Sequence, residues 1–208
     1  MTQRNRVTYL SASWCLSYPD EELLGRIPLV RRALAEFSGL DRPFHDVLQA
    51  LTTVPLGESQ ARYVKEFDLS RRHALHLSYW TDGDTRRRGE VLASFKRVYR
   101  DSGMLVDLHG ELPDYLPMVL EFAATVDLDA GRKLLTDYRA SLEMLRLALV
   151  DDNLPQAAVV QAVCDSLPGK SPADRQEIMK MAGYGPPTER VGLDAYDPRL
   201  LPLAGGQQ

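Results

Sequence analysis

Three consecutive arginines, Arg86 to Arg88, are the strongest candidates in this sequence for binding an anion. They follow Asp84, which suits the position before a helix because its carboxylate can accept hydrogen bonds from free backbone N–H groups. The first turn of that helix should favour acids, since the helix dipole is positive there. A cationic first turn therefore predicts either an ion-pair network with nearby carboxylates or a docking point for an anionic group or acidic partner.

The surrounding stretch, residues 62–100, holds ten basic and five acidic residues, although the whole chain has a formal net charge of −4. Arg71 and Arg72 lie close in sequence to Tyr63 and Phe67, a combination that can stack on single-stranded nucleic acid. The same aromatic spacing is typical of a helical core, and the acidity of the whole chain argues against nucleic acid. A helical regulator that binds nucleic acid or a phosphorylated ligand is the alternative function.

A second unusual segment spans residues 111–117 and contains two prolines four positions apart. Both cannot lie inside one regular helix, because proline has no N–H to donate. Pro117 therefore predicts a helix start, with Glu111 and Asp114 in a shaped turn before it. These carboxylates either cap the helix or form the acidic rim of a groove. In the second interpretation, the groove floor is drawn from Tyr115, Leu116, Val119 and Phe122.

Catalytic and metal-binding patterns are weak in this sequence. His73 and His76 have a spacing that could supply two metal ligands, but no nearby Cys or His completes a set. Cys15 and Cys164 form no CxxC pair and are interpreted as buried thiols, with a redox pair as the less favoured alternative. The sequence has no nucleophile-elbow, P-loop, dinucleotide-binding or HExxH motif. We therefore expect a binding protein that is not an enzyme and holds no metal.

Helical periodicity dominates the chain and predicts an all-α fold in one domain, residues 1–182. Residues 183–208 are rich in Gly and Pro and predict a flexible tail, since such a segment buries too little apolar surface to offset its ordering entropy. No apolar targeting segment opens the chain, and no apolar run is long enough to span a bilayer. A soluble cytoplasmic protein is expected. Apolar residues recur at helical spacing over 7–18, 91–99 and 112–123, and further helices are predicted near 20–37, 42–53, 57–67, 70–80, 127–149, 154–166 and 172–181.

The two unusual segments also carry a family resemblance. In order, the sequence of residues 63–68, Arg71-Arg72, 83–89, Phe95-Lys96 and 111–117 resembles the NarJ family of nitrate reductase assembly chaperones. The pattern covers residues 62–124 in detail and residues 7–166 in helix order. The resemblance implies a single-domain helical bundle of the TorD-like type, within the wider group of redox enzyme maturation proteins.

A function follows from this resemblance as an expectation. Such a chaperone binds the N-terminal segment of the apo catalytic (alpha) subunit of a respiratory nitrate reductase, a short amphipathic helix with basic residues. It assists insertion of the molybdenum guanine-dinucleotide cofactor before the subunit docks at the membrane, and binds no cofactor permanently. The partner-binding residues would be Tyr63, Phe67, Asp68, Arg71, Arg72, Asp84, Arg86, Arg87, Arg88, Glu111, Pro113, Asp114, Tyr115, Leu116, Val119 and Phe122.

Overall fold

Eleven α-helices occur in the part of the chain described by this computed structural model, residues 2–82, 87–103 and 110–181. The all-α prediction is confirmed, and none of these helices is long and apolar enough to cross a bilayer. The predicted tail, residues 183–208, lies outside the described part. The helices are α1 (Thr2–Cys15), α2 (Glu21–Ala35), α3 (His45–Thr53), α4 (Leu56–Tyr63), α5 (Tyr79–Asp82), α6 (Arg87–Asp101), α7 (Leu116–Thr125), α8 (Leu128–Asp137), α9 (Arg139–Asp151), α10 (Gln156–Asp165) and α11 (Arg175–Met181).

Helix α1 lies at the centre of the bundle and runs antiparallel to α7. Ser13 Oγ donates a hydrogen bond to the carbonyl of Pro117 at the start of α7 (2.8 Å), and Arg6 donates to the carbonyl of Ala124 near its end. Helix α1 also packs against α10. Because two helices cover it, α1 is buried on more than one side.

Val7, Leu10, Trp14 and Tyr18 are spaced three and four residues apart, which predicts the buried face of a helix, but the buried surface of α1 is different. Val7, Leu10 and Trp14 are only partly buried, and Tyr18 lies beyond the helix and is 44% exposed. The buried surface instead combines Tyr9, Ala12 and Cys15 with small polar residues, whose size allows close helix contact. Thr8 Oγ1 donates to the carbonyl of Arg4. The buried polar residues of α1 are Asn5, Thr8, Ser11 and Ser13.

Two predicted helices have different boundaries in the structure. Residues 70–80 form a short 3₁₀-helix, Arg71–His73, and then an extended segment before α5. In that segment Leu75 and Leu77 are buried and His76 between them is not, which is the period-two pattern of extended chain. The predicted helix 127–149 is interrupted at Tyr138, which ends α8 and precedes α9. No Gly or Pro marks that break.

Helices α7 and α8 approach each other so closely that only glycine fits at position 131. A Cβ atom there would lie 2.3 Å from Ala123 Cβ, which is inside contact distance. In contrast, Gly25 within α2 has no neighbouring atom within 4 Å of the same position. Both glycines therefore lie within helices, but only Gly131 is too closely packed to accept a side chain.

We expect alanine to have opposite effects at these two positions. Gly131→Ala should lower the free energy of unfolding by about 1–3 kcal/mol, because the added methyl group forces α7 and α8 apart. Gly25→Ala should raise it by about 0.5–1 kcal/mol, since alanine loses less backbone entropy than glycine in a helix. Urea denaturation of both variants measures the difference. A stabilised Gly131→Ala protein would mean that the two helices are not in close contact.

A buried ion cluster on α9 holds the segment between α10 and α11. Glu143 is fully buried and binds Arg139 (3.2 Å) and Arg146 (2.7 Å). The two guanidinium groups also donate to backbone carbonyls of the connecting segment, including that of Pro172 from Arg146 (2.6 Å). The cluster therefore fixes the C-terminal helices to α9.

Candidate functional site

A polar anchor at Asp114 joins two segments that the chain brings together from far apart. The Leu77 N–H donates to the carbonyl of Asp114 (3.0 Å), and the Leu116 N–H donates to the carbonyl of Leu75 (2.7 Å). An isolated antiparallel bridge pairs His76 with Tyr115. Residues 111–115 and 74–78 thus form one wall, and α7 begins at Leu116 as Pro117 predicts.

The Asp114 carboxylate is fully buried. Its Oδ2 accepts hydrogen bonds from the backbone N–H (2.9 Å) and hydroxyl (2.6 Å) of Ser78, and lies 3.9 Å from the Arg88 guanidinium. Its Oδ1 is 3.5 Å from His76 Nδ1. Burial by itself raises the pKa of Asp114, but the interactions with His76 and Ser78 outweigh it and hold that pKa below its usual value. The expectation that Asp114 forms an exposed rim is therefore wrong: this carboxylate holds the wall together.

A π-helix, Val64–Asp68, continues α4 and carries two residues of the site. The Leu69 N–H donates to the carbonyl of Val64 (2.9 Å), five residues earlier, which is the spacing that defines this helix type. The wider turn leaves Phe67 buried and Asp68 exposed. Single π-turns inside α-helices occur frequently at functional sites.

His73 fixes the π-helix to α9. The imidazole is 1% exposed, with Nδ1 3.1 Å from the Glu66 carbonyl and Nε2 2.9 Å from Asp152 Oδ2. Arg72 also binds Asp152, at 2.6 Å. His73 and His76 therefore have separate partners, and no three His, Cys, Asp or Glu side chains of the described residues converge as a metal site. Nothing local in the sequence points to Asp152, which is 79 positions from His73.

The wall and the π-helix enclose an open cavity of about 220 Å³. Four of its eight lining residues are Tyr or Phe, and two of them, Tyr63 and Tyr115, are joined by a hydrogen bond between their hydroxyls (2.8 Å). We call it the aromatic cavity. It is lined by Tyr18, Tyr63, Phe67, Asp68, Leu75, His76, Glu111 and Tyr115.

Two exposed carboxylates, Asp68 and Glu111, give the aromatic cavity a negative potential. Burial, together with the negative charges of Glu111 and Asp68, raises the pKa of Tyr115 to about 12. The pKa of Tyr63 is raised by the same causes and by the neighbouring Tyr115. Neither carboxylate has a basic side chain within 4 Å in the described ranges. The cavity therefore offers apolar surface beside uncompensated negative charge.

Five of the sequence-predicted residues meet at this cavity: Tyr63, Phe67, Asp68, Glu111 and Tyr115. Sequence reasoning missed Tyr18, Leu75 and His76. Tyr18 carried a usable signal, since an aromatic residue directly before a proline turn sits at a helix end rather than in a packed helix face. Leu75 and His76 were hidden by the helix prediction for residues 70–80.

Other predicted residues lie elsewhere. Leu116, Val119 and Phe122 are at most 2% exposed and belong to the core, so the predicted apolar floor does not line an open groove. Pro113 is buried, and its carbonyl accepts a hydrogen bond from the Tyr99 hydroxyl (2.6 Å). Arg71 is exposed.

The arginine cluster is described only in part. Arg88 is largely buried and donates from Nε to the Ser78 hydroxyl (3.2 Å), so it belongs to the Asp114 anchor. Asp84 and Arg86 lie outside the described residues, as does the side chain of Arg87. Arg72 lies beside the Asp152 carboxylate and Arg88 beside the Asp114 carboxylate of the same chain. Both arginines are therefore poorly placed to neutralise a nucleic acid or a phosphorylated ligand.

Both cysteines are free thiols in the core, as predicted. Burial raises the pKa of Cys15 to about 12 and raises the pKa of Cys164 as well. Thiol chemistry proceeds through the thiolate, so burial suppresses the reactivity of both side chains.

Comparison with known proteins places this geometry in context. The profile of the family described as nitrate reductase delta subunit matches residues 34–156. The chain is 42% identical over 160 residues to the nitrate reductase-like protein NarX of Mycobacterium tuberculosis, a match that covers 76% of this chain and 24% of that relative. This chain therefore spans about a quarter of the length of that relative.

A second relative is similar to this chain over most of its own length. The chain is 30% identical over 169 residues to the probable nitrate reductase molybdenum cofactor assembly chaperone NarJ of Bacillus subtilis, covering 80% of this chain and 91% of that one. Among solved structures, a protein of Archaeoglobus fulgidus whose description names redox enzyme maturation has the same fold, with a TM-score of 0.57. That match is 22% identical and covers 77% of this chain and 92% of the other.

Proposed function

Because the chain belongs to the nitrate reductase delta subunit family, we propose that it is a cytoplasmic assembly chaperone for a respiratory nitrate reductase. In this proposal it binds the N-terminal segment of the apo catalytic subunit. It keeps that subunit competent for insertion of the molybdenum guanine-dinucleotide cofactor and delays docking at the membrane until insertion is complete. The chain acts by binding alone, without catalysis and without a permanent cofactor.

The observation that carries this proposal is the aromatic cavity with its two exposed acids. An amphipathic helix that binds in a groove needs apolar contacts for its anchor side chains and opposite charge for its polar face. Tyr18, Tyr63 and Phe67 supply the first, and Asp68 and Glu111 supply the second. Leu69 (79% exposed) and Leu112 (38% exposed), which follow these two acids in sequence, extend the apolar surface.

Delayed docking requires only that the chaperone cover a surface needed by the membrane subunit. Such an effect follows from mass action, since a bound chaperone and a competing subunit exclude each other. No bond in the partner needs to be made or broken. The rigid anchor at Asp114 and the buried His73 suit this role, because they hold the cavity in a defined shape before the partner arrives.

Expression of the partner enzyme with and without this chain tests the assembly function. In a host without its own assembly chaperones, the nitrate reductase subunits should gain activity and molybdenum content only when this chain is supplied. Both quantities can be measured on the purified enzyme. Equal molybdenum content in both preparations would contradict a role in cofactor insertion.

Charge reversal at the cavity should weaken binding of the partner segment. The Asp68→Lys, Glu111→Lys double variant should bind a synthetic N-terminal peptide of the catalytic subunit at least tenfold more weakly, because a basic helix then meets like charge. The loss should shrink as salt rises, since charges near the surface are screened over about 10 Å at 0.1 M ionic strength. Isothermal titration calorimetry at low and high salt measures both effects.

A control double variant distinguishes the effect of charge at the cavity from the effect of the net charge of the chain. Glu36 and Glu121 are exposed and do not line the cavity. Reversal of both to Lys changes the net charge by the same amount and should leave peptide affinity within about twofold at moderate salt. Equal losses in the two double variants would mean that the peptide responds only to overall charge.

A further inference from the structure

The chemistry of the aromatic cavity narrows the kind of side chain that can occupy it. Its volume of about 220 Å³ is smaller than the ~300–1,000 Å³ of sites for drug-sized ligands, so it admits one long side chain and not a whole helix. An apolar occupant would press against the rings but leave both Asp68 and Glu111 without a partner. The two carboxylates of the cavity therefore favour a side chain that can donate hydrogen bonds over an apolar one.

The aromatic rings lie at steep angles to one another around the cavity. The Tyr18 ring stands perpendicular to that of Tyr63, with centroids 5.5 Å apart, and the Phe67 ring lies 4.9 Å from Tyr63 at 38°. On the other wall, Tyr115 and His76 are 5.5 Å apart at 41°. The rings of each pair contact each other, so a cation would bind against the ring surfaces that line the cavity, in the manner of an aromatic cage.

The two carboxylates approach the cavity from separate parts of the fold. Asp68 ends the π-helix, whereas Glu111 opens the turn before α7. Both line the cavity, and their negative charges add to the effect of burial in raising the pKa of Tyr63 and Tyr115. A cation in the cavity would therefore be attracted by both acids.

We propose that the aromatic cavity is specific for a single arginine side chain of the partner segment. This inference rests on the proposed function and adds the residue that the site recognises. Arginine fits better than lysine because its planar guanidinium can stack on an aromatic face and still donate in its own plane to two carboxylates. The compact ammonium of lysine is more strongly hydrated and has no flat face to stack.

Peptide variants test this specificity directly. Each arginine of the synthetic N-terminal peptide is replaced in turn by citrulline, which keeps the shape and removes the charge, or by lysine, which keeps the charge and removes the plane. At one position citrulline should weaken binding at least tenfold, and lysine by a smaller factor. If every citrulline peptide binds as tightly as the parent, the arginine cage is refuted while the proposed function stands.

A protein variant links the effect to the cavity. Tyr18→Leu removes one aromatic wall at a side chain that is 44% exposed, so the fold should tolerate it. The variant should bind the parent peptide severalfold more weakly than the wild type does. Both proteins should bind the citrulline peptide that has lost affinity for the wild type about equally well. Glu36→Gln is the control, about 22 Å along α2 from the turn that carries Tyr18. Equal losses for both peptides would refute a cation contact at Tyr18.

A small-molecule probe tests the arginine cage independently of the proposed function. N-acetyl-arginine methylamide should shift the ring resonances of Tyr18 and Tyr115 in NMR spectra of the full chain, and its citrulline analogue should not. If these shifts appear but the peptide fails to bind, the cage is correct and the proposed partner segment is wrong. If the two probes behave alike, the cage is refuted whatever the peptide does.

Discussion

Replacing Asp114 with alanine should lower the free energy of unfolding by about 3–5 kcal/mol, the range typical of a buried ion pair that loses one partner. The buried Ser78 N–H would lose its acceptor, and Arg88 would lose the carboxylate beside it. Urea denaturation measures this loss. Partner peptide affinity should fall as well, because the pairing of His76 with Tyr115 depends on this anchor.

A neighbouring acid provides the control for Asp114. Glu111 lies three residues earlier in the same turn but is exposed. Glu111→Gln should leave the free energy of unfolding almost unchanged and reduce only peptide affinity. If both substitutions leave stability unchanged, Asp114 is not the anchor that the structure shows.

The Asp114 anchor also predicts a pH dependence. Its folded pKa is lowered from the ordinary value of 3.8, so the stability it contributes is complete above that value. The contribution should be lost as the pH falls from 3.8 through the lower folded pKa. The stability difference between wild type and Asp114→Asn should therefore shrink as the pH falls below about 3.8.

Replacing Glu143 with alanine should be comparably destabilising, by about 3–5 kcal/mol, because Arg139 and Arg146 would remain buried without a counter-charge. The segment that carries the chain from α10 to α11 should loosen, since both arginines also bind its carbonyls. Denaturation measures the first effect, and faster amide hydrogen exchange in residues 166–173 measures the second.

An exposed ion pair with the same spacing is the control for Glu143. Lys133 and Asp137 lie four residues apart on α8, as Arg139 and Glu143 do on α9, but both are largely exposed. Asp137→Ala should cost no more than about 0.5 kcal/mol, since solvent screens such pairs. A similar cost for both variants would mean that the α9 cluster is solvated.

Most of the helices could be predicted from the sequence because their signals are local. Pro117 marks the start of α7, and the spacing of Phe95 and Tyr99 identifies the buried face of α6. The order of several short segments between residues 63 and 117 indicated the family, which the comparisons confirm. These features depend on residues within a few turns of one another.

Side-chain direction could not be predicted where distant segments meet. The sequence predicted Asp114 as a helix cap or an exposed rim, because acids are favoured at a helix N-terminus, but the extended segment at 74–78 covers it and Ser78 is its partner. Val119 and Phe122 were assigned to a groove floor, yet α1 and the surrounding helices bury them. An apolar stripe is the same in sequence whether another helix or a partner covers it.

The sequence by itself determined the helical class, the family and several residue types of the candidate site. Only the tertiary structure decided that Tyr18, Phe67, Asp68 and Glu111 surround one cavity while Asp114 and Arg88 are turned inward. The physical reason is that helix formation depends on hydrogen bonds a few residues apart. The shape and charge of a cavity instead depend on contacts between segments tens of residues apart, such as His73 with Asp152, which local periodicity does not encode.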